Sequence, residues 1–380
     1  MFPEHPRHIL IMSSWFPNRL DAFVGNFVLR FAQLLAAEYT VSVIHTLGDS
    51  ACSRIEMEQE ELDGVHIVRV YHPISSNKLM HWYWQRKALN KAMHEVEYVD
   101  LIFAHVILNR GLQFIRAKRN YHCPLIVMEH ASYYRKEIRE KFSRLQRAII
   151  KRTSLQMNEL LACSEFLQED MKAVFPTTKS TVLPNFVDTT LFYPAESIGR
   201  QRNRFLHVST LDEAVKDPET LIKGIAEAIA NGFTDLHLTI ISDQPVEKWI
   251  ELTKTLVIQE YITFLGPMSW EEIAEQMRLH DAFILTSTYE TFSIVLVEAW
   301  LTGIPTFTTP VGIGKDLDPQ LGIQLVAENP SSVAQAVQDF MNGLLPFNPE
   351  TIRSAGLAFS EENVINQLKT IFERHFDHHE

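Results

Sequence analysis

Short apolar runs alternate with amphipathic stretches along the whole chain, and no other feature restricts the fold as much. A strand buried on both faces must be covered by helices, and successive strand-helix units build parallel sheets. The first series of runs predicts strands near Ile9–Ser13, Val41–Thr46, His66–Tyr71, Leu101–Ala104, Leu125–Met128, Leu160–Cys163 and Thr181–Leu183. A second series predicts strands near Arg204–Ser209, Leu236–Ser242, Ile262–Leu265, Ala282–Thr286 and Pro305–Thr308. Two doubly wound α/β halves follow, as expected of 380 residues, which exceed a single core. The polar stretch Glu196–Asn203 has neither periodicity and reads as the linker. The domains are therefore expected at residues 1–195 and 204–358, with a last helix in 359–380 that opens on the capping pattern of Ser360-Glu361-Glu362-Asn363.

Charge and cysteine usage narrow the function. A formal net charge of −12 argues against a nucleic-acid partner, which needs a broadly basic face. The three cysteines, Cys52, Cys123 and Cys163, lack the paired spacing of a zinc site and read as reduced core or surface thiols of a cytosolic protein. His8–Met12 forms a strand directly after a short polar start, so no signal peptide is expected, and no apolar run is long enough to span a bilayer.

Glu290 and Glu298 bracket seven residues of the segment Thr291-Phe292-Ser293-Ile294-Val295-Leu296-Val297. If a helix begins near Ser293, its first amides, at Ser293, Ile294 and Val295, face an anion. The two carboxylates then lie on the order of 10 Å apart, at about 1.5 Å per helical residue plus a loop step. That separation suits a diphosphate carrying a sugar at each end. It equally suits a buried amphipathic helix with one solvated and one capping glutamate.

Several segments together resemble the family-four retaining glycosyltransferases of the GT-B fold. They are the glutamate pair with Ala299-Trp300-Leu301-Thr302-Gly303-Ile304-Pro305, and the Val182-Leu183-Pro184-Asn185-Phe186-Val187-Asp188 run with Phe192 and Pro194. The resemblance implies two Rossmann-like doubly wound domains facing a cleft, with the C-terminal helix crossing back to the N-terminal domain. It implies a nucleoside diphosphate sugar as donor substrate, no cofactor, and a saccharide or lipid-linked hydroxyl acceptor. Glu298 is then expected to accept from the ribose hydroxyls and Glu290 to bind the transferred sugar, with Phe292, Ser293, Ile294 and Val295 along the donor. Lys216, in Val215-Lys216-Asp217-Pro218, matches the lysine that neutralises the leaving diphosphate. Gly312, in Gly312-Ile313-Gly314, matches the glycine loop over the donor sugar.

The same resemblance assigns residues of the first domain. His130 follows the Leu125–Met128 strand and matches the histidine that touches the transferred sugar. His105 ends the preceding strand and is a further candidate, since ligands of doubly wound sheets bind at the carboxyl ends of strands. Gly25 would let the backbone approach donor and acceptor, and Asn26 beside it reads as a helix cap. Three positions depart from the pattern: Thr210 stands where an arginine is usual, and Phe186 and Thr291 replace glycines, so these backbones should avoid positive φ.

Asp316-Leu317-Asp318 has the form of a metal-binding motif of another glycosyltransferase fold, but it follows no nucleotide-binding strand and reads as a loop, so no metal is expected. Residues 135–152 form a basic stretch with Ile138, Phe142, Leu145 and Ile149 in one stripe. This stretch reads either as a surface helix with solvated bases or, with Trp82-Tyr83-Trp84-Gln85-Arg86-Lys87, as a peripheral contact on the inner face of a membrane. The function expected is retaining transfer of a sugar to a hydroxyl acceptor in cell-surface polysaccharide or glycolipid synthesis. The alternatives are a catalytically silent sugar-nucleotide binder and a sugar-nucleotide epimerase on the same fold.

Overall fold

Each series of apolar strands builds its own sheet. The computed structural model describes residues 6–22, 24–108, 110–195 and 202–376. These fall into two units, the first holding the chain up to Cys163, Leu167–Leu183 and the segment from Ile365, the second holding Ser164–Phe166 and Pro184–Val364.

Along the first half of the chain run β1 (His8–Ser13), α1 (Asn26–Ala36), β2 (Thr40–Asp49), β3 (Glu56–Leu62), β4 (Val65–Pro73), α2 (Lys78–Met93), β5 (Leu101–His105), α3 (Gly111–Tyr121), β6 (Leu125–Glu129), α4 (Lys136–Arg139), α5 (Arg144–Ser154), β7 (Glu159–Ala162), α6 (Glu165–Lys172) and β8 (Ser180–Val182). The eight strands are ordered β3-β4-β2-β1-β5-β6-β7-β8. All neighbours are parallel except β3 and β4. The order reverses between β1 and β5, where Ser13 lies opposite His105, and this reversal is where doubly wound sheets bind ligands.

The second half adds β9 (Arg204–Val208), α7 (Pro218–Ala230), β10 (His237–Ile241), α8 (Glu247–Thr255), β11 (Ile262–Leu265), α9 (Trp270–Leu279), β12 (Ala282–Leu285), α10 (Ile294–Leu301), β13 (Thr306–Thr308), β14 (Gly322–Gln324), α11 (Pro330–Met341), α12 (Pro349–Leu357) and α13 (Glu361–Phe376). Its six strands are ordered β11-β10-β9-β12-β13-β14, all parallel, and this order reverses between β9 and β12. Buried Phe205, Ile240, Ile284 and Phe307 from the strands pack with Leu221, Ile225, Val333 and Val337 from α7 and α11.

The strand list and the domain boundary need correction. Strand β3 was not anticipated because Glu56-Met57-Glu58-Gln59-Glu60-Glu61-Leu62 has no buried face. It is held instead by Asp63-Gly64, both at positive φ, in the tight turn that Asp-Gly favours between antiparallel strands. Its acids also guard the sheet edge against pairing. The short β14 was missed too: Gly322 lies so close to Thr306 that a Cβ would overlap the Thr306 carbonyl. Residues 184–195 join the second unit rather than the first. Val187 N donates to Phe359 O at 3.0 Å, Arg278 to Leu191 O at 3.1 Å and Arg353 to Phe192 O at 3.2 Å. Most of the expected linker, residues 196–201, lies outside the described residues.

The basic stretch 135–152 is not one helix. Ser143 caps α5 in a capping box with Gln146, and Arg147 donates to the Phe142, Glu140 and Arg139 carbonyls at the end of α4. These bonds satisfy the groups that a continuous helix would have used internally. The stripe is lost with it: Leu145 is 70% exposed. All three cysteines are buried, and none forms a disulfide among the described residues.

The end of α13 belongs to the first unit. Phe372 packs against Phe103 with ring centroids 5.3 Å apart, and His375 Nε2 lies 2.8 Å from Glu159 Oε2. Burial pushes the Glu159 carboxyl up, but hydrogen bonds from His375, Thr181 and Lys179 outweigh it and hold the group at about 2.

Candidate active site

Two loops at the reversal point of the second sheet carry its charged residues. The loop after β9 is buttressed from inside by His207, whose Nδ1 meets Ile284 O at 2.8 Å and whose Nε2 meets Ser209 Oγ at 2.7 Å. Burial holds this imidazole down at about 4, so it is a neutral strut. The loop ends at Asp217, in the left-handed region at φ 45°, whose carboxylate caps Thr220 N of α7.

The loop after β12 is laced to it. Thr286 Oγ1 donates to Asp217 O at 2.9 Å, Thr288 N donates to Val215 O at 2.8 Å, and Thr288 Oγ1 donates to Ala214 O at 2.8 Å. This lacing brings Lys216 Nζ to 2.5 Å from Glu290 Oε1. The same carboxylate oxygen accepts from Ser287 Oγ at 2.8 Å, and Thr309 fixes the Ser287 carbonyl in turn. Lys216 and Glu290 are thus positioned by backbone lacing on both sides.

Helix α10 begins where expected, after Ser293. Ser293 stands at φ 78° with its hydroxyl buried and making no cap bond, so the first turn is not closed by its side chain. The initial amides of a helix have no intrahelical partners, which makes the end at Ile294 and Val295 an anion-favouring terminus. Leu296, Val297, Ala299 and Leu301 are buried, and Glu298 is buried beside them. Trp300 Nε1 donates to Thr306 Oγ1 at 3.0 Å, which ties the helix to β13. Gly312 closes the arrangement at φ 56°: a Cβ there would lie 2.7 Å from Phe292 O, 2.9 Å from Ser293 Oγ and 3.0 Å from Glu290 Cβ. Only glycine fits so tight a left-handed corner. One loop glycine, Phe292, Ser293 and Glu290 therefore share one corner, and Glu298 lies one turn into the helix leading from it.

Phe186 and Thr291, which replace glycines, are not among the positive-φ residues. Thr210 is exposed. Asp318 caps a turn, its Oδ1 accepting from Gln320 N at 2.9 Å, as suits a loop residue.

In the first unit, β5 and β6 end side by side on His105 and Glu129-His130. His105 Nδ1 lies 3.0 Å from His130 Nε2, with the rings stacked at an interplanar angle of 16°. Burial and the neighbouring His130 hold His105 well below the ordinary imidazole range, so the pair is a donor and an acceptor rather than two cations. Phe27 of α1 covers His130 at 4.4 Å between ring centroids. Gly25, at φ 69°, abuts the Trp15 backbone, where a Cβ would lie 2.3 Å from the Trp15 carbonyl. Gly25 rather than Asn26 holds the cap position: Asn26 is the first residue of α1, and no side chain caps that helix. A left-handed residue is needed there, and glycine takes it without strain.

The residues that support these loops carry no motif in the sequence. Glu129 is fully buried; its Oε1 accepts from Tyr134 Oη at 2.5 Å and from Ile107 N at 2.7 Å, fixing a loop in which Val106 has φ 64°. Burial pushes this carboxyl up to about 7. His207, Ser209, Thr286 and Ser287 act similarly in the second unit. Their shared signal is a polar residue at or just past the end of an apolar strand.

The chain matches two family models, "Glycosyltransferase Family 4" over residues 24–191 and "Glycosyl transferases group 1" over residues 202–342. It is 30% identical over 166 residues to the MMP alpha-(1->4)-mannosyltransferase of Mycolicibacterium hassiacum, covering 43% of this chain and 39% of that one. Alignments with other curated relatives likewise span only part of their length, 39% for one and 54% for another. Among solved structures, the sucrose-phosphate synthase of Thermosynechococcus elongatus shares the fold with a TM-score of 0.76 at 17% identity, over 98% of this chain and 100% of that one. Anabaena HepE in complex with UDP and glucose matches with a TM-score of 0.70 at 15% identity, over 97% and 100% of the two chains. With one family model on each half and a shared fold over nearly its whole length, the chain belongs to the family 4, group 1 glycosyltransferases of the GT-B fold.

Proposed function

We propose that the chain is a retaining glycosyltransferase that moves a sugar from a nucleoside diphosphate sugar to a hydroxyl acceptor. The observation that carries the reading is the Lys216–Glu290 contact at the start of α10, beside Gly312. A cation and a helix N-terminus together suit a diphosphate, and flanking carboxylates suit sugar hydroxyls. In this reading Lys216 and the first amides of α10 neutralise the departing diphosphate, and that electrostatic stabilisation supplies most of the catalysis. Glu290 holds the transferred sugar, and Glu298 the ribose. The acceptor hydroxyl attacks from the face that the diphosphate leaves, and the diphosphate takes its proton.

His130, with His105 behind it, and the Gly25–Asn26 corner are assigned to sugar and acceptor contacts. The acceptor is a saccharide or a lipid-linked saccharide of cell-surface polysaccharide or glycolipid synthesis, and the reaction takes place on the cytoplasmic side. It needs no cofactor or metal. HepE, which holds UDP and glucose, makes uridine donors the first to test.

A thermal-shift screen against nucleoside diphosphates and their sugars tests the donor reading, because a ligand that binds only the folded state raises its melting temperature. One base should stabilise the protein at sub-millimolar concentration, and Glu298→Ala should abolish that stabilisation. Thr210, in place of an arginine, favours a second reading, a binder without turnover. Stabilisation with neither donor hydrolysis nor transfer would select it.

A further inference from the structure

Helices α2, α3 and α5 of the first unit line an open groove of about 1260 Å³. Five cations line it, Arg86, Arg116, Arg119, Lys151 and Arg152, and the lining contains no carboxylate. That is unexpected in a chain of net charge −12. Elsewhere in this unit arginines sit on acids, as Arg19 does on Asp49 at 2.6 Å and Arg69 on Glu60 at 2.6 Å. None of the five has a salt-bridge partner among the described residues. The Arg116 guanidinium is pushed down by burial and by the neighbouring Arg86 charge, and its Nε donates to the neutral Asn90 Oδ1 at 2.7 Å rather than to a carboxylate.

Two donors add to this charge. His81 Nε2 meets Gln85 Nε2 at 3.1 Å and acts as the acceptor, which leaves the His81 proton on Nδ1. His81 Nδ1 and Gln113 Nε2 are buried without a hydrogen-bond partner among the described residues, and both residues line the groove. The rim is apolar and exposed: Trp82 is 51%, Leu145 70% and Leu155 69% accessible. Cations and donors around a hollow, under a rim of aromatic and aliphatic side chains, match an amphiphile with an anionic head. Nucleic acid would require cations spread over a broad face.

We propose that this groove is the docking site for the surface of an anionic phospholipid bilayer, with lipid phosphates among Arg86, Arg116, Arg119 and Lys151 and with Trp82, Leu145 and Leu155 seated in the acyl region. The site lies on α2, α3 and α5 rather than on a single basic helix. It is independent of the donor reading and stands or falls without it.

Sedimentation with vesicles tests it. The wild type should pellet with phosphatidylglycerol–phosphatidylcholine vesicles at low salt and not with phosphatidylcholine alone. Replacing the exposed Arg86, Arg119 and Lys151 by Gln should weaken partitioning on the order of 100-fold. Replacing Lys223, Lys248 and Lys254 of the second unit by Gln changes net charge equally and should leave partitioning within about twofold, because each of these lysines is already paired with a carboxylate, Glu219, Glu213 and Glu251 in turn. Trp82→Ser should remove the binding that persists at high salt. Circular dichroism melts of each variant should match the wild type, since every replaced side chain is solvent-exposed. Absence of wild-type binding, equal loss in both triple variants, or tighter binding to a single-stranded oligonucleotide than to vesicles would overturn the proposal.

Discussion

Lys216 Nζ stands 2.5 Å from Glu290 Oε1, although 74 positions separate the two residues in the chain. Neither residue is solvated in the usual way: their side chains are 20% and 12% exposed. The ammonium has three donors, so this contact leaves others for a diphosphate. The pair therefore links the group proposed to stabilise the leaving group to the group proposed to hold the sugar.

Lys216→Met should lower kcat about 100- to 1000-fold with a smaller change in KM, because the charge matters most as the diphosphate departs. Lys216→Arg should recover part of the loss. Steady-state kinetics on both variants check this, and an unchanged kcat in Lys216→Met removes the proposed role.

Lys216 and Glu290 should also be energetically coupled. In a double-mutant cycle of Lys216→Met and Glu290→Gln, the effects on kcat/KM should depart from additivity by about 0.5–3 kcal/mol. Strict additivity would mean that the observed contact has no bearing on turnover.

Gly312→Ala should destabilise the protein and impair donor binding together. The added Cβ would meet Phe292 O, Ser293 Oγ and Glu290 Cβ at 2.7–3.0 Å with φ at 56°. A cost of about 2–4 kcal/mol is expected, from the left-handed backbone and the overpacking combined. Denaturant unfolding reads the first effect and donor titration the second. The control Gly232→Ala meets no atom within 4 Å and carries only the penalty of its φ of 98°.

Much of this architecture was legible in the sequence. A buried parallel strand must be an uninterrupted apolar run, so β5, β6, β9 and β12 could be read directly. The start of α10 after Ser293 was legible too. Strand β3 was not, because its pairing rests on an Asp-Gly turn and backbone bonds rather than on apolar side chains. The break between α4 and α5 was hidden because Arg147 caps the first piece through space, a contact that periodicity does not register. The supports of the site, His207, Ser287 and Glu129, act through single hydrogen bonds to loops distant in sequence. Polar residues at strand ends marked their places but not their partners.

Glu129 predicts a pH dependence of stability. Its folded carboxyl titrates near 7 against an ordinary value of 4.5, chiefly because it is buried. A group raised on folding stabilises most below its unfolded value and loses that contribution as pH rises through the folded one. Melting temperature should therefore fall between pH 4.5 and 7 through this residue. Glu129→Gln, which can still accept from Tyr134 and Ile107, should flatten that slope. An identical slope in the variant would show that another group is responsible.

The proposed absence of a metal requirement has a direct check. Turnover should stay within about twofold after prolonged treatment with a chelator, since charge neutralisation is assigned to Lys216 and the α10 terminus. Activity lost to the chelator and restored by a divalent cation would refute it.

Release of nucleoside diphosphate from a panel of nucleotide sugars, measured without acceptor for the wild type and for Glu290→Gln, tests the donor site most directly. The wild type should slowly hydrolyse donors of one base, and a folded Glu290→Gln protein should lose at least about 100-fold of that rate. Hydrolysis undiminished in the folded variant would contradict the assignment of this site.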